Sequence, residues 1–250
     1  MRRTGWLIGL VLTLAAPVAA QQTPLQARYA NVANRLITAA LKDSAVWNKL
    51  ATLTGGFGYR ISGSDSLERA LDWILAAMKR EGLDKVREEP VMVPHWVRGN
   101  ESAELVSSRR MKLPRLGLGN SVGTPSEGIT TEVLSDGGVF QPIGFGFSGS
   151  DSARALLRQI VGLLKPVGAD SLLVGGGGAD IGPIMQKTAA GEPGVPGMSH
   201  VVDGTRYFWF HHTDADTIDK LDPREVAMNA AAMAVMAFVV ADMPDRLPRK

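Results

Sequence analysis

From Val226 to Ala241 the chain runs sixteen residues with a single polar interruption, Asn229. A segment apolar on nearly every side has to be enclosed, so the rest of the chain must build a body able to enclose it. Asp222-Pro223-Arg224-Glu225 precede it. They supply an N-cap, a Pro at the first helical position and a Glu at the third, and predict a helix to about Met243. Sixteen apolar residues are short for a membrane span, so the segment reads as a core helix.

Upstream, Leu25, Val32, Ala33, Leu36, Ile37, Ala40 and Leu41 recur at helical spacing over residues 25–42. Ser44 is placed to cap a second helix to about Leu53, with Gly55-Gly56-Phe57-Gly58 expected to break it. Ser64 to Arg80 carries the clearest amphipathic stripe: Leu67, Leu71, Ile74, Leu75 and Met78. Residues 85–93, with Pro90 inside, read as an edge strand. Residues 103–107, 112–118 and 129–134 are further strand candidates, separated by a loop over 119–128. In the second half, 153–164 read as a helix stopped by Pro166, 171–174 as a buried strand and 181–190 as a short helix. Residues 197–202 and 207–210 read as strands. Strands alternate with helices, so the class is α/β. Ser-Gly-Ser-Asp-Ser occurs twice, at 62–66 and 148–152, each time before a helix. The repeat reads as one capping chemistry used at two helix N-termini.

The composition, 45% hydrophobic and 21% charged, is that of a globular chain and excludes a disordered tail, a collagen and a coiled coil. There is no Cys, so disulfides, thiolate metal sites and a cysteine nucleophile are excluded. Any metal has to be held by His, Asp or Glu, and the His are four: His95, His200, His211 and His212. Residues 1–20 read as a secretory signal peptide: Arg2-Arg3, an apolar stretch Trp6–Ala16, then Val18-Ala19-Ala20 before a cleavage point. Without Arg2 and Arg3, 25 basic residues balance 25 acidic ones. A balanced chain gives no reason to expect nucleic acid or an anionic membrane as partner. The expected location is secreted or periplasmic, and a cysteine-free exported chain suits a periplasm.

The strongest local signal for chemistry is His211-His212-Thr213-Asp214-Ala215-Asp216-Thr217, after the aromatics Tyr207–Phe210. His beyond a strand end points into the rim where α/β sites form, and nearby Thr and Asp can orient it. A polar turn with two satisfied His fits the same residues. Ser135-Asp136-Gly137-Gly138 places a carboxylate before two glycines, a pattern equally typical of a plain turn. Asp180, after Gly175–Gly178, is a third candidate acid. Gly144-Phe145-Gly146-Phe147-Ser148-Gly149 has dinucleotide-loop spacing but lacks the βαβ unit and the ribose-binding acid. There is no Gly-x-Ser-x-Gly elbow and no His-Glu-x-x-His helix.

Several stretches together resemble the carboxypeptidase Q branch of the exported di-zinc exopeptidases. They include Gly63-Ser64 and its helix, Glu89–Gly99, Leu116–Pro125, Glu127–Val133, Ser135–Gly138, Phe147–Asp151, Gly178–Ile181, Gly194–Gly197, His211–Thr217, Val239–Met243 and Leu247–Arg249, in family order. The resemblance implies a three-layer α/β/α peptidase domain with a mixed sheet over residues 21–250, acting on dipeptides or short peptides with two zinc ions. It carries two of the five ligand positions onto this chain, Asp136 and His212. The other three ligands and the general-base Glu have no counterpart. In the family they lie between the segments matching 21–134 and 135–250, which this chain joins directly at Leu134-Ser135. By the resemblance, central strands and the protease-associated insert are absent. A catalytic zinc needs about three protein ligands and an open position, so the expectation is an impaired or inactive metallo-exopeptidase. His211, Asp180 and Asp214 are the residues available to rebuild a centre, and a non-catalytic periplasmic peptide-binding module is the alternative. The oligomeric state, a homodimer included, is not implied.

Overall fold

The computed structural model describes residues 22–93, 95, 97–100, 102, 104–105, 111–112, 138–178, 181–186, 194–211, 213, 215–244 and 246–248. The signal-peptide reading, the strand expected at 129–134, Asp136, Asp180, His212 and Asp214 lie outside them.

The long apolar segment is a helix, α6 (Pro223–Asp242), entered as its sequence demands: the Asp222 carboxylate accepts from Arg224 N and Pro223 takes the first position. Glu225 does not close a capping box. Its carboxylate takes the Arg206 guanidinium at 2.6 and 2.7 Å instead. Enclosure is one-sided: Val226, Ala231, Ala232, Val235 and Val239 are buried, whereas Met233, Ala234, Ala237, Phe238 and Ala241 are exposed. The buried side meets α1 (Pro24–Lys42), which presents Tyr29, Ala33 and Ile37 at successive turns. Thr23 and Gln26 cap α1 reciprocally, and the Gln26 side chain also donates to Gln159 O on the next layer.

The sheet beneath is mixed, with strand order β4-β3-β5. Its central strand β3 (Pro142–Ser148) runs parallel to β4 (Ser171–Val174) and antiparallel to β5 (Gly197–Val202). Helix α4 (Asp151–Val161) and a 3-10 turn (Gly162–Val167) connect β3 to β4. Leu157, Ile160, Leu164 and Val167 from this connection join Phe145, Phe147 and α6 in one core cluster. A fully buried aliphatic side chain stabilises by about 1.5–3 kcal/mol, so this cluster is the principal favourable term among the described residues. Arg154 of α4 ties the layers: its guanidinium lies 5.4 Å from the Phe147 ring centroid and donates to Phe147 O and Leu173 O at 2.8 and 3.2 Å.

β3 is the stretch whose glycines mimic a dinucleotide loop. They are there for contact between chains of backbone: a Cβ on Gly146 would lie 2.2 Å from Gly175 O, and one on Gly149 2.2 Å from the Phe147 ring. Both Ser-Gly-Ser-Asp-Ser copies are helix entries, with Ser64 Oγ accepting from Leu67 N and Ser150 Oγ from Ala153 N, each at 3.3 Å.

Four local expectations are corrected. Helix α2 (Ala45–Phe57) continues through Gly55 and Gly56, and Ser44 makes no side-chain cap there; the Asp43 carboxylate accepts from Ala45 N instead. Residues 85–93 form no strand, since no described strand pairs with them and Pro90 lacks a donor. β4 is an exposed edge rather than a buried strand, with Val174 91% exposed. Residues 207–209 form a 3-10 turn, closed by His211 N donating to Tyr207 O. Helix α3 (Asp65–Arg80) forms as expected, yet only Ala70 and Ala77 are buried and Leu71 and Met78 stay exposed. Its main packing partner is α2. A two-residue hairpin, β1 (Glu104–Leu105) with β2 (Met111–Lys112), and a short helix α5 (Gly182–Met185) complete the described elements.

Candidate functional site

Residues 138–140, shortly after Asp136 in the chain, pack against residues 206–210, shortly before His212. Gly138, two residues past Asp136, adopts φ +72°, and a Cβ there would meet the Phe140 ring at 3.0 Å and the Tyr207 ring at 3.3 Å. Phe140 is buried, 5.9 Å from the Phe210 ring and with the Arg206 guanidinium 4.8 Å from its centroid. Aromatic packing and the half-buried Arg206–Glu225 pair therefore hold the chain after Asp136 against the turn that leads to His212.

His211 is turned back onto that wall. Its ring stacks on Tyr207 with centroids 4.1 Å apart, and its Nε2 lies 3.2 Å from the Tyr207 hydroxyl. The turn beyond is stiffened by threonines: Thr213 Oγ donates to Phe210 O at 2.7 Å and accepts from Ala215 N. The Asp219 carboxyl is held below the usual carboxylate range, first by the hydrogen bond from Lys220 and then by that from Thr217. Asp203 is lowered likewise, chiefly by the Thr205 backbone N–H.

His200 sits on β5 facing α6. Asn229 is 6% exposed, and its Nδ2 donates to Phe140 O and Glu225 O, both at 2.7 Å. With both donors fixed, its Oδ1 must accept, so His200 Nε2 carries the proton of their hydrogen bond. His200 Nδ1 is buried with no hydrogen-bond partner among the described residues. The one polar break in the α6 run thus anchors three segments: β5, α6 itself and the chain at Phe140. Sequence reading noted both residues without pairing them, because they lie 29 positions apart and only the fold brings β5 onto α6.

An open pocket of about 560 Å³ adjoins the same turn, between the end of α2 and residues 213–218. Tyr59 and Arg60 form one wall, Thr213, Asp216 and Thr217 the other. The sequence reading missed Tyr59 and Arg60. They follow a glycine cluster read only as a helix breaker.

No protein-family model matches the chain. Mouse and human carboxypeptidase Q are each 42% identical to it over 115 residues, 46% of the chain. Carboxypeptidase Q of Xenopus laevis is 42% identical over 151 residues, 60% of the chain. Over these stretches the chain is similar to carboxypeptidase Q. The aligned stretch spans 23% of the mouse and human proteins and 29% of the frog protein, so about a quarter of a relative's length is matched. A crystal structure of a peptidase M28 precursor from Shewanella amazonensis superposes with a TM-score of 0.69, over 90% of this chain and 99% of that one, at 17% identity. That likeness shows the fold, a zinc-exopeptidase-like α/β domain with a mixed sheet.

The candidate ligands Asp136 and His212, like Asp180 and Asp214, lie outside the described residues. No group of three His, Asp or Glu among them is placed to hold a metal ion. His200 spends Nε2 on Asn229 and buries Nδ1, and His211 Nε2 meets the Tyr207 hydroxyl.

Proposed function

We propose that the chain is an exported carboxypeptidase Q-type exopeptidase domain whose hydrolytic centre is incomplete. By the resemblance it keeps Asp136 and His212 as metal ligands and lacks the general-base Glu. The observation that supports the reading is the commitment of two described His, His200 and His211, to partners within the fold. With His200 locked to Asn229 and His211 stacked on Tyr207, neither replaces a missing ligand. Two ligands cannot cage two cations, and without a bound metal and a base no water is activated. The readable signal peptide supports a secreted or periplasmic location. A second reading, a non-catalytic module that binds short peptides, is favoured by the pocket at Arg60.

The test uses purified residues 21–250. Zinc stoichiometry by calorimetry and dipeptide hydrolysis with and without chelator are measured together. The expected result is fewer than two tightly held zinc ions and no chelator-sensitive turnover. Two ions with turnover abolished by chelator would overturn the proposal. Reading the gene across the Leu134-Ser135 junction is the complementary check, since a restored central stretch would return the missing ligands.

A further inference from the structure

We infer that the groove between β5 and α6 binds a soft monovalent metal ion of the Cu(I) class, held by the thioethers of Met198, Met233 and Met236 and by His200 Nδ1. The inference draws on neither Asp136 nor His212 and is separate from the zinc reading above.

Chain periodicity puts these side chains on facing surfaces. Met198 and His200 alternate along a strand, so they share one face of β5, opposite Phe147 and Phe145 of β3. Asn229, Met233 and Met236 stand at i, i+4 and i+7 on α6, along one stripe of the helix. The hydrogen bond between His200 and Asn229 docks that face on that stripe. Met198, His200, Met233 and Met236 together line one cavity of about 340 Å³. Ser199 is the one other polar side chain among its described lining residues.

The imidazole is prepared as a ligand. Asn229 commits its Nδ2 to two backbone carbonyls, so its Oδ1 accepts and the His200 proton sits on Nε2. Nδ1 therefore carries a lone pair, and it is buried with no hydrogen-bond partner among the described residues. A buried acceptor without a donor is costly, and a coordinated cation satisfies it. Metal-binding histidines are oriented in this way, with the far N–H given to a carbonyl and the other nitrogen left bare. The Phe145 ring, 5.1 Å from the His200 ring between centroids, holds the imidazole from the sheet side.

The donor set selects the ion. Thioether sulfur is soft and uncharged, which suits Cu(I), whereas magnesium and calcium take oxygen and zinc takes imidazole, thiolate or carboxylate. No carboxylate is among the described lining residues. A neutral set in an apolar groove accommodates one positive charge at less cost than two. Met233 is 50% exposed and Met236 4%, so one thioether stands at the mouth and another inside. Methionine has three rotatable side-chain bonds, which lets the sulfurs turn onto an ion by rotamer change.

The purified chain is titrated with Cu(I), kept reduced by ascorbate, against bicinchoninate as competing chelator. A single Cu(I) should be taken up, and a large excess of zinc should not displace it. Copper K-edge absorption should show sulfur and nitrogen neighbours, and the His200 Nδ1 resonance should move on binding. Met198→Leu and Met233→Leu nearly conserve volume. Each should weaken binding by about tenfold or more, the least that loss of even an outer partner costs a metal site. Met78→Leu combined with Met92→Leu, at exposed positions outside the groove, should leave the affinity unchanged. No uptake against bicinchoninate, displacement by zinc, a shell without sulfur, an unmoved His200 Nδ1, or equal affinity in all the methionine variants overturns the inference.

Discussion

Asn229 shows how much one buried amide can specify. It satisfies two backbone carbonyls and His200 at once, so its loss strands three groups of which two lie on other segments. Asn229→Ala should destabilise the chain by about 2–3 kcal/mol in urea unfolding. His200→Leu alone leaves Asn229 Oδ1 without its donor. The pair His200→Leu with Asn229→Leu should therefore cost less than the two singles added, by about 1 kcal/mol or more. Additive costs would show that the hydrogen bond contributes nothing specific. Tyr29 offers a second residue-level handle. Burial raises its phenol above the ordinary value, helped by the hydrogen bond to Asp242 at 2.9 Å and opposed by Arg28. A value raised in the folded chain contributes stability that is whole below about pH 10. That contribution fades as pH climbs through the folded value. Thermal midpoints should accordingly fall on the alkaline side, and Tyr29→Phe should flatten that limb while leaving the neutral region to reflect only the lost hydrogen bond.

At the scale of elements, the glycines separate two kinds of position. Gly55 lies inside α2 with nothing within 4 Å of an added Cβ, so Gly55→Ala should stabilise by about 0.5–1 kcal/mol. Gly146→Ala should cost about 3 kcal/mol, because the methyl would meet the carbonyl of Gly175 and backbone there cannot step aside. Chemical denaturation of both variants checks the contrast. These positions also mark what could be read in advance. Helix entries at Ser64, Ser150 and Asp222 were legible, since these caps act through neighbours two or three residues away; the Thr23 cap of α1 was not read. β3 was not, because its glycines answer to Gly175 O and Ser171 O across the sheet, which local spacing cannot show. Tyr207–Phe210 has strand propensity but folds as a turn, held by stacking on His211 that depends on geometry four residues on. The pocket wall at Arg60 was invisible for the same reason: its opposite wall is more than 150 residues away in the chain.

For the whole molecule, packing is uneven. The principal core joins α1, α4, α6 and β3, whereas α3 leans mainly on α2 and keeps Leu71 and Met78 exposed. Local opening free energies follow buried contact, so amide exchange should be fastest in α3 and the β1–β2 hairpin and slowest in α6 and β3. Uniform protection across these elements would contradict the uneven core. The β3–α4–β4 unit has a further consequence, set by when its parts meet. It occupies residues 142–174 without interruption, and Arg154 joins its helix to both strands. Closing so short a loop costs little entropy, while α1 must travel from more than a hundred residues away to reach α6. In refolding, pulse labelling should find the crossover unit protected first and α1 last. Such an order would make the N-terminal helix the latch of the molecule, and its departure the earliest sign of unfolding.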